Sequence, residues 1–287
     1  MLEMRFFDML PIWVIYGGLV LFILLSYEVG YQIGKHAHSH KKGTDPASLN
    51  HIVSGVLGML AFVLAFSFAM ASSQHRARRH LVLEEANTVG TAYLRADLLR
   101  EPYRGEIKRL LKEYVDVRVK GANRKGFAKA VQRSIEIHEM LWHSAVEACR
   151  KDPSKATLMV VRSINEVIDV HSKRIAAALR ARIPTSIWIA LLAISALTMI
   201  TMGVQAGLSE NRRLIAVIPL ILAFAVLTAL VVDLDRPQRG LIKVSQQEMI
   251  DLRKSMERED AFNKRFVGKL EDSSSKGATS PLSPEGK

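Results

Sequence analysis

Four apolar segments constrain the fold of this 287-residue chain more than any other feature. They run roughly Ile12–Ile33, Ile52–Ala71, Ser186–Leu208 and Leu214–Val232. Each has the length of about 20 residues that an α-helix needs to cross the hydrocarbon core of a bilayer. The sequence therefore predicts an all-α integral membrane protein with four transmembrane helices.

The apolar segments form two pairs on either side of a long basic region. We predict transmembrane helices 1 and 2 in residues 1–72, a cytoplasmic helical domain in 73–184, and transmembrane helices 3 and 4 in 185–235. A cytoplasmic C-terminal segment, 236–270, follows the last span. The tail, 271–287, is rich in Ser, Pro, Gly and Lys and is predicted to be disordered.

The distribution of basic residues predicts the orientation in the membrane. An even number of spans puts both termini and the long central region on one side. Near the membrane ends that side carries Arg5, Arg76, Arg78, Arg79, Lys173, Arg174, Arg180, Arg182, Arg236, Arg239 and Lys243, and the other side carries Lys35, Lys41, Lys42, Arg212 and Arg213. The positive-inside rule then predicts that both termini are cytoplasmic. The net charge of +12 is accordingly attributed to contact with anionic membrane lipids rather than to nucleic acid.

Small residues recur along the second apolar segment. Ala61, Ala65 and Ala69 follow one another at intervals of four, and Gly58 extends the strip. Such a small-xxx-small face lets membrane helices approach closely, so these four residues are predicted to pack against neighbouring helices.

A ridge of bulky side chains, Phe62, Phe66 and Met70, runs beside this strip. In a ring of helices around an axis, the ridge would form a hydrophobic constriction that can gate by dewetting. The alternative is that these side chains face lipid or a sister helix, and composition alone favours that alternative.

A basic cluster follows the second segment at its cytoplasmic end. Arg76, Arg78 and Arg79 are candidates for the charged cytoplasmic mouth of a pore. The alternative role is in topology and lipid contact.

Two polar groups in the central region are predicted to make hydrogen bonds between helices, with a lined cytoplasmic vestibule as the alternative. They are Glu84, Glu85, Asn87, Thr91 and Arg95, and Asn165, Glu166, Asp169, His171 and Arg174. Asp233 and Asp235 end the fourth span, where negative charge opposes the helix dipole, so they are expected to pair with Arg236, Arg239 or another basic group.

The sequence predicts no enzyme, because it has no Walker loop, no dinucleotide-binding glycine pattern and no nucleophile elbow. No catalytic residue, cofactor or metal site is predicted. The His36-x-His38-x-His40 run lacks the Cys or carboxylate ligands that usually complete a metal site.

Two stretches resemble a known family. The run Gly58–Phe68, with Arg78-Arg79 and Glu84–Arg95, resembles the bacterial bestrophin-like family of unknown function, as does Asp233–Gly240 with its continuation Val244–Gln247. The resemblance covers about Leu49–Leu252. The link to bestrophin ion channels themselves is distant and rests on the layout of the spans.

The resemblance implies a homopentameric channel with cytoplasmic termini in the bacterial inner membrane, and a pore lined by the second helix. Phe62, Phe66 and Met70 match the apolar ring of that pore, with Leu60, Leu64 and Phe68 as the alternative register. His80 stands where true bestrophins have Trp after Arg. The region from Arg236 to Arg253 has only Glu248 and Asp251 as acidic residues, too few for a calcium clasp.

Two functions follow as hypotheses. The first is a bestrophin-like ion channel, a homo-oligomer that contacts membrane lipids and permeant ions. The second is a non-conducting membrane scaffold that recruits a cytoplasmic partner or anionic lipid.

Overall fold

The computed structural model describes residues 10–39, 49–121, 124–179, 182–209, 214–236, 241–242 and 244–277. All regular structure in these ranges is helical, and they contain no strand, which confirms the all-α prediction. The helices are α1 (Ile12–Ser39), α2 (Leu49–Arg95), α3 (Tyr103–Lys120), α4 (Arg124–Lys151), α5 (Lys155–Leu179), α6 (Thr185–Leu208), α7 (Leu214–Asp235) and α8 (Gln247–Gly277). A short 3₁₀ turn, Ala96–Leu98, follows α2.

Four helices, α1, α2, α6 and α7, are long and apolar enough to cross a membrane. These four candidate spans coincide with the apolar segments of the sequence. α2 has 47 residues, more than twice what a bilayer requires. Its first half is the apolar segment, and its second half carries the polar residues from Gln74 onward.

The chain divides into two compact units. The first comprises Met1–Arg79 and Ile175–Val244, and the second comprises His80–Arg174 and Ser245–Lys287. α8 therefore belongs to the same unit as the central region. It continues to Gly277, so the first part of the predicted disordered tail is helical, since Glu271–Lys276 contains no helix-breaking residue. The remainder of that tail, 278–287, lies outside the described residues.

In the first unit, α1 and α6 are packed backbone to backbone through glycines. A Cβ atom added at Gly30 would lie 2.1 Å from the carbonyl oxygen of Ile200, and one at Gly203 would lie 2.2 Å from that of Tyr27. Gly34 and Gly207 repeat the arrangement one turn along. Within α1, Gly30 and Gly34 have the spacing Gly-x-x-x-Gly, and Gly203 and Gly207 have the same spacing within α6, so each helix presents two glycines on one face. No larger residue fits between these helices at this separation.

The remaining spans pack on this pair through apolar side chains. One cluster joins residues of α1, α2, α6 and α7, and its fully buried members include Leu60 of α2 and Leu191 of α6. A second cluster joins α1, α6 and α7 around Met199. α2 therefore contributes one face to the core of its own subunit.

In the second unit, α3 is the central packing element. Its buried stripe has helical spacing, with side chains removed from water at Ile107, Leu110, Leu111, Tyr114 and Val115. α3 packs against α4 and α8. Ile137 and Leu141 of α4 and Ile164 of α5 are likewise fully buried.

Candidate functional site

The membrane part of α2 has two faces of different character. Leu60, Leu64 and Ala71 lie on the face that packs into the subunit core, with Leu60 fully buried. Phe62 is 71 % exposed and Phe66 is 51 % exposed in the isolated subunit. Because an α-helix turns 100° per residue, these faces lie on roughly opposite sides of α2.

The small residues predicted to pack against other helices lie on the exposed side. Ala61, Ala65 and Ala69 are exposed, and a Cβ atom added at Gly58 would meet no neighbouring atom within 4 Å. Within the described residues of one subunit, this strip is therefore not covered by a neighbouring helix. The close approach that small residues permit occurs instead between α1 and α6.

The residues of the two alternative registers for the bulky ridge differ in how exposed their side chains are. Leu60 and Leu64 belong to the apolar core of the subunit. Phe68 is 41 % exposed and lies at the edge of the exposed side of α2. Met70 is half-buried and packs against the core cluster, so its position differs from those of Phe62 and Phe66.

Two of the three arginines predicted at a cytoplasmic mouth are exposed, and the third is buried. Arg76 and Arg79 are exposed. Arg78 is 5 % exposed, so its side chain lies inside the subunit. It lies seven residues after Ala71, two helical turns along the same buried face.

Arg78 caps the end of α7. Its Nη2 donates to the carbonyl oxygen of Leu234 at 2.8 Å, and its Nη1 donates to that of Asp235 at 3.4 Å. The last carbonyls of a helix lack partners within the helix and carry partial negative charge. A buried guanidinium supplies both the missing donors and the compensating charge.

The two aspartates at the end of α7 act as acceptors for backbone amides. The carboxylate of Asp233 accepts from the backbone N–H groups of Leu241 and Ile242, both at 3.0 Å. Asp235 Oδ1 accepts from the backbone N–H of Ile183 at 2.8 Å. The sequence predicts that these carboxylates pair with Arg236, Arg239 or another basic group, whereas these hydrogen bonds come from backbone amides, and Arg78 bonds to the backbone carbonyl oxygens of the same helix end. These bonds fix the segments that enter α6 and leave α7.

The second unit contains a buried ionic cluster centred on Glu85, whose side chain is fully buried. Arg174 Nη1 donates to Glu85 Oε2, and Arg118 Nε lies 3.2 Å from Glu85 Oε1. Tyr114 Oη donates to Glu85 Oε1 at 2.5 Å and lies 2.9 Å from His171 Nδ1. The hydrogen bonds expected between helices are thus present for Glu85, His171 and Arg174.

Three members of this cluster lie outside both polar groups predicted from the sequence. They are Tyr114 and Arg118 on α3, and His138 on α4, whose ring centroid lies 4.7 Å from that of His171. His138 Nε2 is buried and has no hydrogen-bond partner among the described residues. A polar residue on the apolar stripe of an amphipathic helix is the signal that could have identified each of them.

The electrostatics of the cluster keep its histidines neutral. Burial, with smaller contributions from His171 and Arg118, lowers the pKa of His138 to about 3. Burial and the charge of Arg118 lower the pKa of His171 to about 4. Burial also lowers the pKa of Arg174, to about 10, which leaves it charged at neutral pH. The cluster therefore holds one carboxylate between two guanidinium groups, with neutral imidazoles beside them.

The second unit also has an open cleft of about 580 Å³. Its lining residues are Arg95, Trp142, Val161, Arg162, Asn165 and Glu166. Three of these belong to the polar groups singled out in the sequence. Within the part of the chain that is described, no group of three His, Cys, Asp or Glu residues is arranged to hold a metal ion.

One comparison with known proteins, that with protein families, gives a match. Residues 18–249 match the family model of the bestrophin-like domain, a range that includes α2 to α7 completely and most of α1. No curated protein matches the chain. No solved structure matches it either. The family match and the four apolar helices together show that this chain is a membrane protein of the bestrophin-like family.

Proposed function

We propose that the protein is a homo-oligomeric ion channel in which α2 of each subunit lines the pore. Phe62 and Phe66 form a hydrophobic neck, and Met70, which is half-buried against the subunit core, borders it. A ring of bulky apolar side chains can close a water-filled path by dewetting and open it with a small change of radius.

The observation that carries this proposal is the division of α2 into two faces. A helix that lay at the periphery of its subunit for lipid contact alone would need no small-residue strip. Here Ala61, Ala65 and Ala69 leave room for a neighbouring helix beside the exposed rings of Phe62 and Phe66. Copies of α2 standing side by side would cover the strip and turn the rings toward a common axis.

Membership in the bestrophin-like family supports a homo-oligomer, and the resemblance favours five subunits. The surplus of basic residues on one side of the spans favours cytoplasmic termini, and the bacterial resemblance favours the inner membrane. Arg76 and Arg79, both exposed, would then lie at the cytoplasmic mouth, where their charge raises the local concentration of anions.

Ion flux through reconstituted protein tests the proposal. Purified protein in liposomes should conduct ions, and Phe66→Ala should raise the flux several-fold because it widens the apolar neck. Leu197→Ala on α6 is the matched control, since Leu197 is also an exposed apolar residue of a spanning helix. It should leave the flux unchanged.

Absence of flux in the wild type and in Phe66→Ala would contradict the channel. That result would favour the non-conducting scaffold, in which the second unit recruits a cytoplasmic partner or anionic lipid. Equal effects of Phe66→Ala and Leu197→Ala would contradict the assignment of the neck.

A further inference from the structure

The open cleft of the second unit combines groups that recognise different parts of one ligand. Its volume of about 580 Å³ lies within the usual range for small-molecule sites, about 300–1,000 Å³. Three helices contribute to it, with Arg95 near the end of α2, Trp142 on α4 and the other lining residues on α5.

Two arginines supply positive charge. Arg162 makes no ion pair or hydrogen bond with any other residue that the structure describes. Arg95 Nη1 donates to Ser163 Oγ at 2.7 Å, and buried Ser163 in turn donates to the carbonyl oxygen of Met159. Arg95 is thus held in place while its remaining N–H groups are available. Each guanidinium group suits a phosphate or carboxylate, which can accept two parallel hydrogen bonds from one arginine.

Trp142 supplies a flat apolar surface. Its side chain is 42 % exposed, although it belongs to the charged second unit rather than to the membrane spans. An indole ring stacks on planar aromatic ligands through offset contacts, and stacking on an aromatic side chain contributes about 1–3 kcal/mol per nucleobase.

Asn165 and Glu166 complete the site and limit the charge that it accepts. Asn165 donates to Asp169 at 3.1 Å, which leaves its carbonyl oxygen as an acceptor. Glu166 lies one turn after Arg162 on the same face of α5, and its carboxylate can accept from hydroxyl or amino groups. Two guanidinium groups and one carboxylate leave a single net positive charge, which suits one anionic group.

We propose that this cleft binds an anion that carries a planar aromatic ring and has the size of a mononucleotide. Arg95 and Arg162 hold the anionic group, Trp142 stacks on the ring, and Glu166 and Asn165 bind hydroxyl or amino groups between them. The proposal concerns binding to the second unit, and it stands whether or not the protein conducts ions.

Binding of adenosine 5′-monophosphate to the full-length protein in detergent tests this site, with calorimetry as the readout. Saturable binding is expected, with adenosine and ribose 5-phosphate each binding at least tenfold more weakly, because each lacks one of the two recognised parts. Arg162→Gln should weaken binding about tenfold or more, as expected for loss of hydrogen bonds to a charged group. Trp142→Leu should weaken binding of the monophosphate and leave binding of ribose 5-phosphate unchanged.

Arg150→Gln is the matched control, since Arg150 is an exposed arginine of α4 that pairs with Glu147 and does not line the cleft. It should bind as the wild type does. Three results would overturn the proposal: no saturable binding of the monophosphate, equal affinity in Arg162→Gln and the wild type, or ribose 5-phosphate binding as tightly as the monophosphate. The last result would reduce the cleft to a simple phosphate site.

Discussion

Replacing Gly30 by alanine should separate α1 from α6 and destabilise the membrane unit. The new Cβ would lie 2.1 Å from the carbonyl oxygen of Ile200 and 2.8 Å from its carbonyl carbon and Cα. Ordinary contact begins near 3.4 Å, so the helices must move apart by about 1.3 Å at this point. The neighbouring atoms are backbone and cannot yield by rotating a side chain.

The magnitude follows from comparison with Gly17→Ala on the same helix. A Cβ at Gly17 would meet nothing within 4 Å. Both substitutions gain the same helix propensity, about 1 kcal/mol, so their difference isolates the packing effect. Overpacking of this kind costs about 1–3 kcal/mol, and the rigid backbone contact places Gly30→Ala near the upper value.

The assay is thermal unfolding of both variants in the same detergent, followed by size-exclusion chromatography of the folded fraction. A difference of about 3 kcal/mol corresponds to a melting temperature about 6–12 °C lower for Gly30→Ala than for Gly17→Ala. Equal melting temperatures would refute the close glycine packing of α1 on α6.

Three further predictions concern the buried polar groups. Glu85→Ala leaves two guanidinium groups buried without their carboxylate and should cost about 3–5 kcal/mol of stability; a loss below about 1 kcal/mol in the unfolding free energy would contradict the ionic cluster. Arg78→Gln removes charged donors from the end of α7 and should cost about 1–3 kcal/mol, whereas exposed Arg76→Gln should change the unfolding free energy by less than about 0.5 kcal/mol. The pKa values of His138 and His171 in the folded protein, about 3 and about 4, lie below the ordinary 6.5. Between about pH 6.5 and about pH 4 the unfolded chain therefore binds more protons than the folded protein does, and the free energy of unfolding should fall as the pH drops through this range. Unfolding midpoints at about pH 5 and about pH 7.5 check this; the double variant His138→Gln, His171→Gln should show a smaller difference, and an unchanged difference would argue against neutral buried histidines.

The membrane architecture could be predicted from the sequence because bilayer thickness sets the length of each apolar segment. That constraint is local, so each of the four spans could be recognised without knowledge of the others. The helical stripe of α3 is local in the same sense, since the spacing of Ile107, Leu110 and Tyr114 alone assigns them to one face.

Local sequence patterns could not decide which small residues bring two helices into close contact. Both the alanine strip of α2 and the glycine pairs of α1 and α6 have four-residue spacing. The longer alanine strip is the one that the sequence predicts as a packing face, and that prediction does not include Gly30 or Gly203. A small-residue spacing indicates that a helix can approach another, but the partner depends on three-dimensional arrangement.

The sequence does contain a signal that separates Arg78 from Arg76 and Arg79, the arginines that follow the apolar half of α2. Arg78 follows Leu64 and Ala71 at multiples of seven residues, so a buried face for those two places Arg78 on it as well. Arg76 and Arg79 lie on other faces. The capping partner on α7 is more than 150 residues away, and only the fold brings these groups together.

The sequence predicts hydrogen bonds between helices in the second unit, but it does not identify all the residues of the ionic cluster. Glu85, His171 and Arg174 were expected to bond between helices because buried polar groups need partners. Tyr114, Arg118 and His138 come from α3 and α4. Their positions on apolar stripes mark them as candidates, but which residues they contact depends on how these helices pack.

The most direct test of the proposed channel is an electron cryo-microscopy map of the protein in lipid nanodiscs. We predict a ring of subunits, five in number, with α2 of each nearest the axis and the rings of Phe62 and Phe66 narrowing the opening. A monomeric or dimeric particle, or a ring in which Phe62 and Phe66 face the surrounding acyl chains, would contradict this account.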